Sequence, residues 1–167
     1  MTISIRRADP GDVDFLVDLV ADDDVRPFLG RRSAFGREEI LEEVERSLAE
    51  PGAFGRFVIE ADGERAGMMG FHLVNERSRI AHLERLAVHP AFRGRRVADD
   101  AARLFQRLLL EELGFHRLEL EVYAFNERAI AHTERVGFVR EGVKRKAYLY
   151  DDEYVDSVLF SLLPDDL

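Results

Sequence analysis

Cysteine is absent from the chain, which excludes a disulfide, a thiolate nucleophile and any cysteine-ligated zinc site. Histidine is scarce, five residues in 167, and no pair has the H-x-x-x-H spacing, so no bound metal is expected. No run approaches the roughly 18 consecutive apolar residues of a membrane span, and Met1-Thr2-Ile3-Ser4-Ile5-Arg6-Arg7 lacks the apolar stretch of a secretory leader. No membrane association is expected, and the cytoplasm is the expected compartment. Basic charge is also short. With 24 lysines and arginines against 33 acids the net charge is -9, which disfavours nucleic acid as a partner and favours cationic small molecules or basic peptides. What remains is 46% apolar and 10% aromatic, without repeat or linker, as one domain over residues 1–167 would require.

Periodicity supplies the elements. Residues 2–8 alternate as an edge strand, and Asp9-Pro10-Gly11 opens a helix carrying Val13, Leu16, Val17 and Val20, with Asp22-Asp23-Asp24 as its exit. A second helix over 37–48 presents Ile40, Leu41, Val44 and Leu48. Strands over 54–61 and 66–74 flank Ala61-Asp62-Gly63-Glu64, a hairpin signal, and a third follows over 80–88. Helix 97–113 stops at Gly114, strand 117–123 turns Leu118, Leu120 and Val122 inward with Glu119 and Glu121 outward, and a short helix 126–136 ends at Gly137. Strands over 138–150 and 154–162 close the chain around Asp151-Asp152-Glu153. This order implies an α/β (α+β) fold: a mixed, mostly antiparallel sheet of six to seven strands, flanked by about four helices, with one βαβ unit in the middle. Ligands in such sheets collect at the carboxyl end of the crossover strand.

That end is where Leu86-Ala87-Val88 hands over to Arg93-Gly94-Arg95-Arg96-Val97-Ala98, the start of an amphipathic helix. A helix begun this way aims unpaired N–H groups and the positive end of its dipole at one point, which suits a phosphate or diphosphate. An ordinary strand-to-helix turn is the alternative for the turn taken alone. Arg96 is expected to keep ordinary helical backbone angles, because a side chain is costly at positive φ. Asp99 and Asp100 suit the helix dipole but not a nearby polyphosphate, so both are expected to face outward.

The segment Leu86-Ala87-Val88-His89-Pro90-Ala91-Phe92-Arg93-Gly94-Arg95-Arg96-Val97-Ala98 is similar to the strand and R/Q-x-x-G-x-G/A loop of the GNAT superfamily of N-acetyltransferases. Asn126-Glu127-Arg128-Ala129-Ile130, with Glu134-Arg135-Val136-Gly137-Phe138, resembles that family's N-x-x-A-x helix and its Gly-Phe end. Gly142, Arg145, Tyr150, Tyr154 and Asp156 further resemble the branch acting on ribosomal-protein N-termini, polyamines or drug amines. The resemblance implies a GNAT-like fold and an N-acetyltransferase that carries acetyl from acetyl-CoA to a small cationic amine or a protein N-terminus in a ternary complex. It further implies that Arg93 to Ala98 wrap the diphosphate, and that the pantetheine arm lies along Leu86, Ala87 and Val88 in a gap opened toward strand 117–123, near Asn126. Arg96 stands where the family usually has glycine.

Such chemistry needs a base for the ammonium and an acid for the leaving thiolate. His82 and Glu84, i and i+2 on one strand and roughly 6.5–7 Å apart by strand rise, are candidates for base or amine ligand, and a bulge would separate their directions. A main-chain N–H near Val88 would polarise the carbonyl. Thr133 occupies the place where the resemblance expects a tyrosine acid; its hydroxyl would hold a water, with Tyr148, Tyr150 or His132 as substitutes. For the acceptor, Asp22, Asp23, Asp24, Asp151, Asp152, Glu153 and Asp156 offer negative charge, and Phe28, Phe35, Phe71 and Tyr150 offer pocket walls, with core packing the alternative for each aromatic residue. A non-catalytic acyl-CoA-binding module is the competing function, and exposed edge strands would suit a homodimer.

Overall fold

A computed structural model describes residues 1–29 and 36–167. Its strands are β1 (Ile3–Arg7), β2 (Phe54–Ala61), β3 (Glu64–Asn75), β4 (Ile80–Val88), β5 (Arg117–Tyr123), β6 (Val139–Tyr150) and β7 (Glu153–Leu162). Its helices are α1 (Val13–Ala21), α2 (Arg37–Ala49), α3 (Val97–Arg107) and α4 (Glu127–Arg135). The strands form one sheet in the order β1-β2-β3-β4-β5-β7-β6. Only β4 and β5 pair in parallel; the other neighbours are antiparallel.

Turn chemistry sets the hairpins. Asp62 and Gly63 take φ of 50° and 82°, and Asp151 and Asp152 take 46° and 65°, the doubly left-handed geometry that matches strand twist. Asp9 caps the turn before α1 through Gly11 N at 2.7 Å, and the Asp12 carboxylate returns a bond to Asp9 N at 2.9 Å. The predicted helix 97–113 is α-helical to Arg107 and continues as a π-turn over Leu108–Glu112. That wider turn buries both Leu109 and Leu110, which a regular helix would splay apart.

Apolar residues on alternate faces of the sheet build separate cores. Phe57, Phe71, Phe105, Phe115 and Phe160 gather beneath α3, with Phe57 and Phe105 edge-on at 5.0 Å. On the opposite face Val58, Met68 and Ala87 meet α1 and α2 through Val13, Leu19, Ile40 and Val44. Each such side chain contributes roughly 1.5–3 kcal/mol by leaving water, so the β1–β4 half is well anchored. Phe71 is fully buried in the first core, and Phe35 lies outside the described residues.

Two irregularities position the site. The β4–β5 register consists of Ile80↔Arg117, Ala81↔Leu118 and His82↔Glu119; past these pairs β4 is held by β3 and β5 by β7, so the strands part. Between Met68↔Ala87 and Gly70↔Glu84 the β3–β4 register shifts, because a bulge follows Glu84, with Arg85 at φ 60°. The bulge therefore leaves His82 and Glu84 on one face. Arg85 is clamped there by both Glu43 oxygens on α2, Nη2 lying 2.7 Å from Oε1. Gly67 admits the bulge, since a Cβ there would stand 2.4 Å from the Ala87 carbonyl oxygen.

Candidate active site

The chain leaves β4 through a short turn at Pro90–Phe92, then runs extended Arg93, Gly94 at φ 77° and Arg96 at φ 61°, ψ 15° into α3. Arg96 is thus left-handed, contrary to the expectation of helical angles. The strand must reverse into the helix within these few residues, and alternating left-handed positions curl successive N–H groups toward a common centre. For a non-glycine residue this costs about 1–2 kcal/mol. No side chain caps the first turn of α3, so its N–H groups stay available to an anion.

A cavity of about 750 Å³ opens over this turn, lined by Leu86, Ala87 and Val88, by Arg93, Gly94, Arg96, Val97 and Ala98, and by Asn126 and Arg128 of the facing helix. Every residue expected to hold the cofactor lines it except Arg95, which is exposed. Asn126 also caps α4, its side chain accepting from Ala129 N at 3.1 Å. Asp99 does not face outward. It is buried, with its carboxylate held bidentately by Arg135 at 2.6 and 2.8 Å and by His132 Nδ1 at 2.9 Å. Those bonds, Arg135 foremost, hold its pKa down at about 2 against the effect of burial. Its charge is thereby balanced by Arg135 where it lines the larger cavity, and Asp100 remains exposed.

A second cavity, about 350 Å³, threads the gap where β4 and β5 part. His82, Leu83, Glu84 and Leu86 line one wall, and Leu120, Glu121, Val122 and Tyr123 the other. Phe28, Leu29, Leu86, Asn126, Ala129 and His132 line both cavities, which makes them the passage between the two. Of the residues read as acceptor walls, Phe28 lines the gap, whereas Tyr150 packs on Phe125 and Tyr123 at 4.9 and 5.4 Å. Of the acidic candidates, Asp24 lines the larger cavity and Asp156 binds Lys146 N at 2.7 Å.

Glu84 and His82 differ sharply in electrostatics. Burial raises the Glu84 pKa, but His72 at 3.3 Å and Arg56 at 3.0 Å outweigh it and hold the carboxyl at about 2. It is a standing anion and a poor base. His82 is shifted the other way: burial and its neighbour His72, ring centroids 5.1 Å apart, lower its pKa against the pull of Glu84, Glu121 and Glu119. It is neutral at pH 7 and can accept a proton. Environments that drive two groups apart in this way assign their roles. Thr133 is buried, and its hydroxyl donates to the Ala129 carbonyl at 2.8 Å. Tyr148 donates to Glu121 at 2.8 Å, and burial together with that carboxylate pushes its pKa up to about 12.

Sequence reasoning missed several members of this site. Alternation along the strand faces Glu121 outward, away from Leu120 and Val122, and that face looks into the gap. Arg56 reaches Glu84 only because Gly70 has no side chain: a Cβ there would lie 2.5 Å from the guanidinium. Glu43 on α2 completes the pair from the far side at 3.0 Å. These partners lie on different elements, and no local pattern announces them.

Known proteins resemble this chain in sequence and in fold. The family model described as "Acetyltransferase (GNAT) family" matches residues 17–138. Spermidine N(1)-acetyltransferase of Escherichia coli (strain K12) is 30% identical over 103 residues, 62% of this chain and 55% of that protein, so the match spans about half the relative's length. The putative ribosomal N-acetyltransferase YdaF of Bacillus subtilis (strain 168) is 27% identical over 170 residues, covering 96% of this chain and 91% of that protein. Among solved structures, spermidine N-acetyltransferase from Vibrio cholerae in complex with CoA and spermine superposes with a TM-score of 0.87 at 22% identity, covering 98% of this chain and 96% of the other.

Proposed function

The chain belongs to the acetyltransferase (GNAT) family, and from that premise we propose that it transfers an acetyl group from acetyl-CoA to a primary amine, borne by a small cationic molecule or a peptide N-terminus. The observation that carries this reading is the opening between β4 and β5, which joins a left-handed turn with free N–H groups to a cavity walled by Glu84 and Glu121. Acetyl-CoA is consumed as a co-substrate and supplies the activated acyl group.

The residues present fit that co-substrate. N–H groups of the turn from Arg93 to Ala98 would hold the diphosphate, aided by Arg93, Arg96 and Arg128 in the cavity wall. The edge of β4 at Leu86, Ala87 and Val88, released from β5, offers peptide groups to the amide-rich arm as an added strand would. Asn126 lies along the same path. Glu84 and Glu121 attract the ammonium group of the acceptor, and neutral His82 takes its proton. Main-chain N–H groups of β4 facing the gap polarise the acyl carbonyl.

Two further properties belong to the proposal. Edge strand β6 exposes Val139, Val143 and Leu149, a surface that a second copy would cover, and a homodimer would show in sedimentation equilibrium as twice the 19.1 kDa chain mass. No described helix is long and apolar enough to cross a membrane, which accords with cytoplasmic residence. The activity is tested by incubating the protein with acetyl-CoA and a panel of polyamines, drug amines and peptide N-termini, following free thiol. Thiol release with at least one amine is expected. Thermal stabilisation by CoA without thiol release across the whole panel would instead favour a binding module.

A further inference from the structure

The passage between the cavities holds one titratable side chain among the residues common to both walls, His132. Resting on the acetyltransferase reading, we propose that Asp99 and His132 form a proton-transfer dyad, with His132 Nε2 carrying a proton from the attacking nitrogen to the departing sulfur. The geometry dictates the tautomer. Ionised Asp99 can only accept, so the 2.9 Å contact requires a proton on His132 Nδ1. The Nε2 lone pair is left for the passage. Arg135 fixes the carboxylate from the other side with two bonds, so the ring is oriented by a buried anion that cannot itself swing away.

The charges around the ring suit the task. Burial lowers the His132 pKa, Asp99 opposes this, and Arg135 on α4 and Arg103 on α3 add to the lowering. The imidazole therefore rests neutral as an acceptor, while Asp99 stands ready to stabilise the cation formed in transit. That division of labour is the one by which a carboxylate supports a histidine base. The neighbouring hydroxyls are engaged: Thr133 with the Ala129 carbonyl and Tyr148 with Glu121.

The transfer balances without any added reactant. Once His82 has taken the ammonium proton, the amine lone pair forms the C–N bond and the carbonyl π pair moves to oxygen. His132 Nε2 then removes a proton from the positively charged nitrogen and becomes an imidazolium paired with Asp99. The oxygen pair re-forms the carbonyl, the C–S bond breaks with its electrons on sulfur, and Nε2 gives its proton to that sulfur. Amide and free thiol leave, His132 is neutral again, and the proton held by His82 passes to solvent.

The test uses Asp99→Asn, His132→Gln and His132→Ala. The two polar variants should each lose roughly a hundredfold or more in kcat, the usual span of general acid–base catalysis, with the KM for acetyl-CoA changed less than about threefold. Imidazole in the buffer should restore turnover to His132→Ala in proportion to its neutral fraction. Independently of activity, ¹⁵N NMR of the ring should show Nδ1 protonated in the wild type, and the reverse tautomer in Asp99→Asn. Turnover within about threefold of wild type in both polar variants, or an Nε2-protonated ring in the wild type, overturns the dyad while leaving the transferase reading standing. A loss that tracks falling Tm and resists imidazole also overturns it, in favour of a structural bridge between α3 and α4. A wild-type protein that releases no thiol with any amine removes both readings together.

Discussion

Two carboxylates stand at opposite ends of the opening, each held by one arginine and one histidine: Glu84 by Arg56 and His72, Asp99 by Arg135 and His132. Both are held ionised at about 2, yet burial is distributed in opposite ways. Around Glu84 the arginine is sunk, at 9% side-chain exposure, and the carboxylate is partly open at 28%. Around Asp99 the carboxylate is sunk at 5% and the arginine is open at 52%. A fixed cation behind an accessible anion presents negative charge to a ligand. A fixed anion behind a histidine orients and supports the ring instead. In the proposed reaction the same three kinds of group thus serve ligand capture at one end and proton handling at the other.

Removing the two arginines should break the comparison most strongly. Arg56→Ala removes the buried cation behind Glu84, which keeps His72 while Glu43 keeps Arg85, and should cost roughly 3 kcal/mol in urea unfolding, whereas Arg135→Ala leaves buried Asp99 with His132 and should cost about 1–2 kcal/mol together with a fall in kcat. Equal destabilisation by both would show that burial does not separate the two trios. Next in size, Glu84→Gln should raise the KM for the amine roughly tenfold to a hundredfold, the worth of one charged hydrogen bond, and leave the KM for acetyl-CoA alone. A matching rise for acetyl-CoA would place Glu84 in the wrong cavity.

Smaller effects sharpen the picture. Gly70→Ala puts a Cβ 2.5 Å from Arg56 Nη1 and should cost about 1–3 kcal/mol, together with a higher amine KM, because Arg56 must retreat from Glu84. The His82 and His132 pKa values are both depressed below the usual 6.5, so both bases are neutral above that range and kcat/KM should fall, at most a hundredfold per pH unit, only as pH drops beneath it. His82→Gln should be slow at every pH and keep only the acidic limb that neutral His132 imposes, no steeper than tenfold per pH unit. The smallest change is Arg96→Gly, which relieves left-handed strain at the cost of chain entropy and should stabilise by no more than about 1 kcal/mol in thermal unfolding.

Much of the fold was legible because its signals are local. Alternation placed β1 and β5, Asp62-Gly63 announced its hairpin, and the run from Leu86 to Ala98 located the turn into α3. Glu84 and His82 could be marked as candidates from strand position and the family resemblance together. The inward turn of Asp99 could not, since it depends on Arg135 and His132 arriving from α4. Nor could the left-handed Arg96, where a tertiary constraint overrides a side chain's preference. Glu121 illustrates the same limit: its facing was readable, but what that face looks into depends on two strands parting after three paired residues.

The central claim is that the gap between β4 and β5 carries a thioester from the turn before α3 to the acid-lined cavity. A crystal structure of the protein with CoA tests it most directly. The account predicts the diphosphate on main-chain N–H groups between Arg93 and Ala98, the pantetheine arm between Val88 and Leu120, and the sulfur beside His132. A CoA bound elsewhere, with the strands closed on each other over that gap, would contradict it.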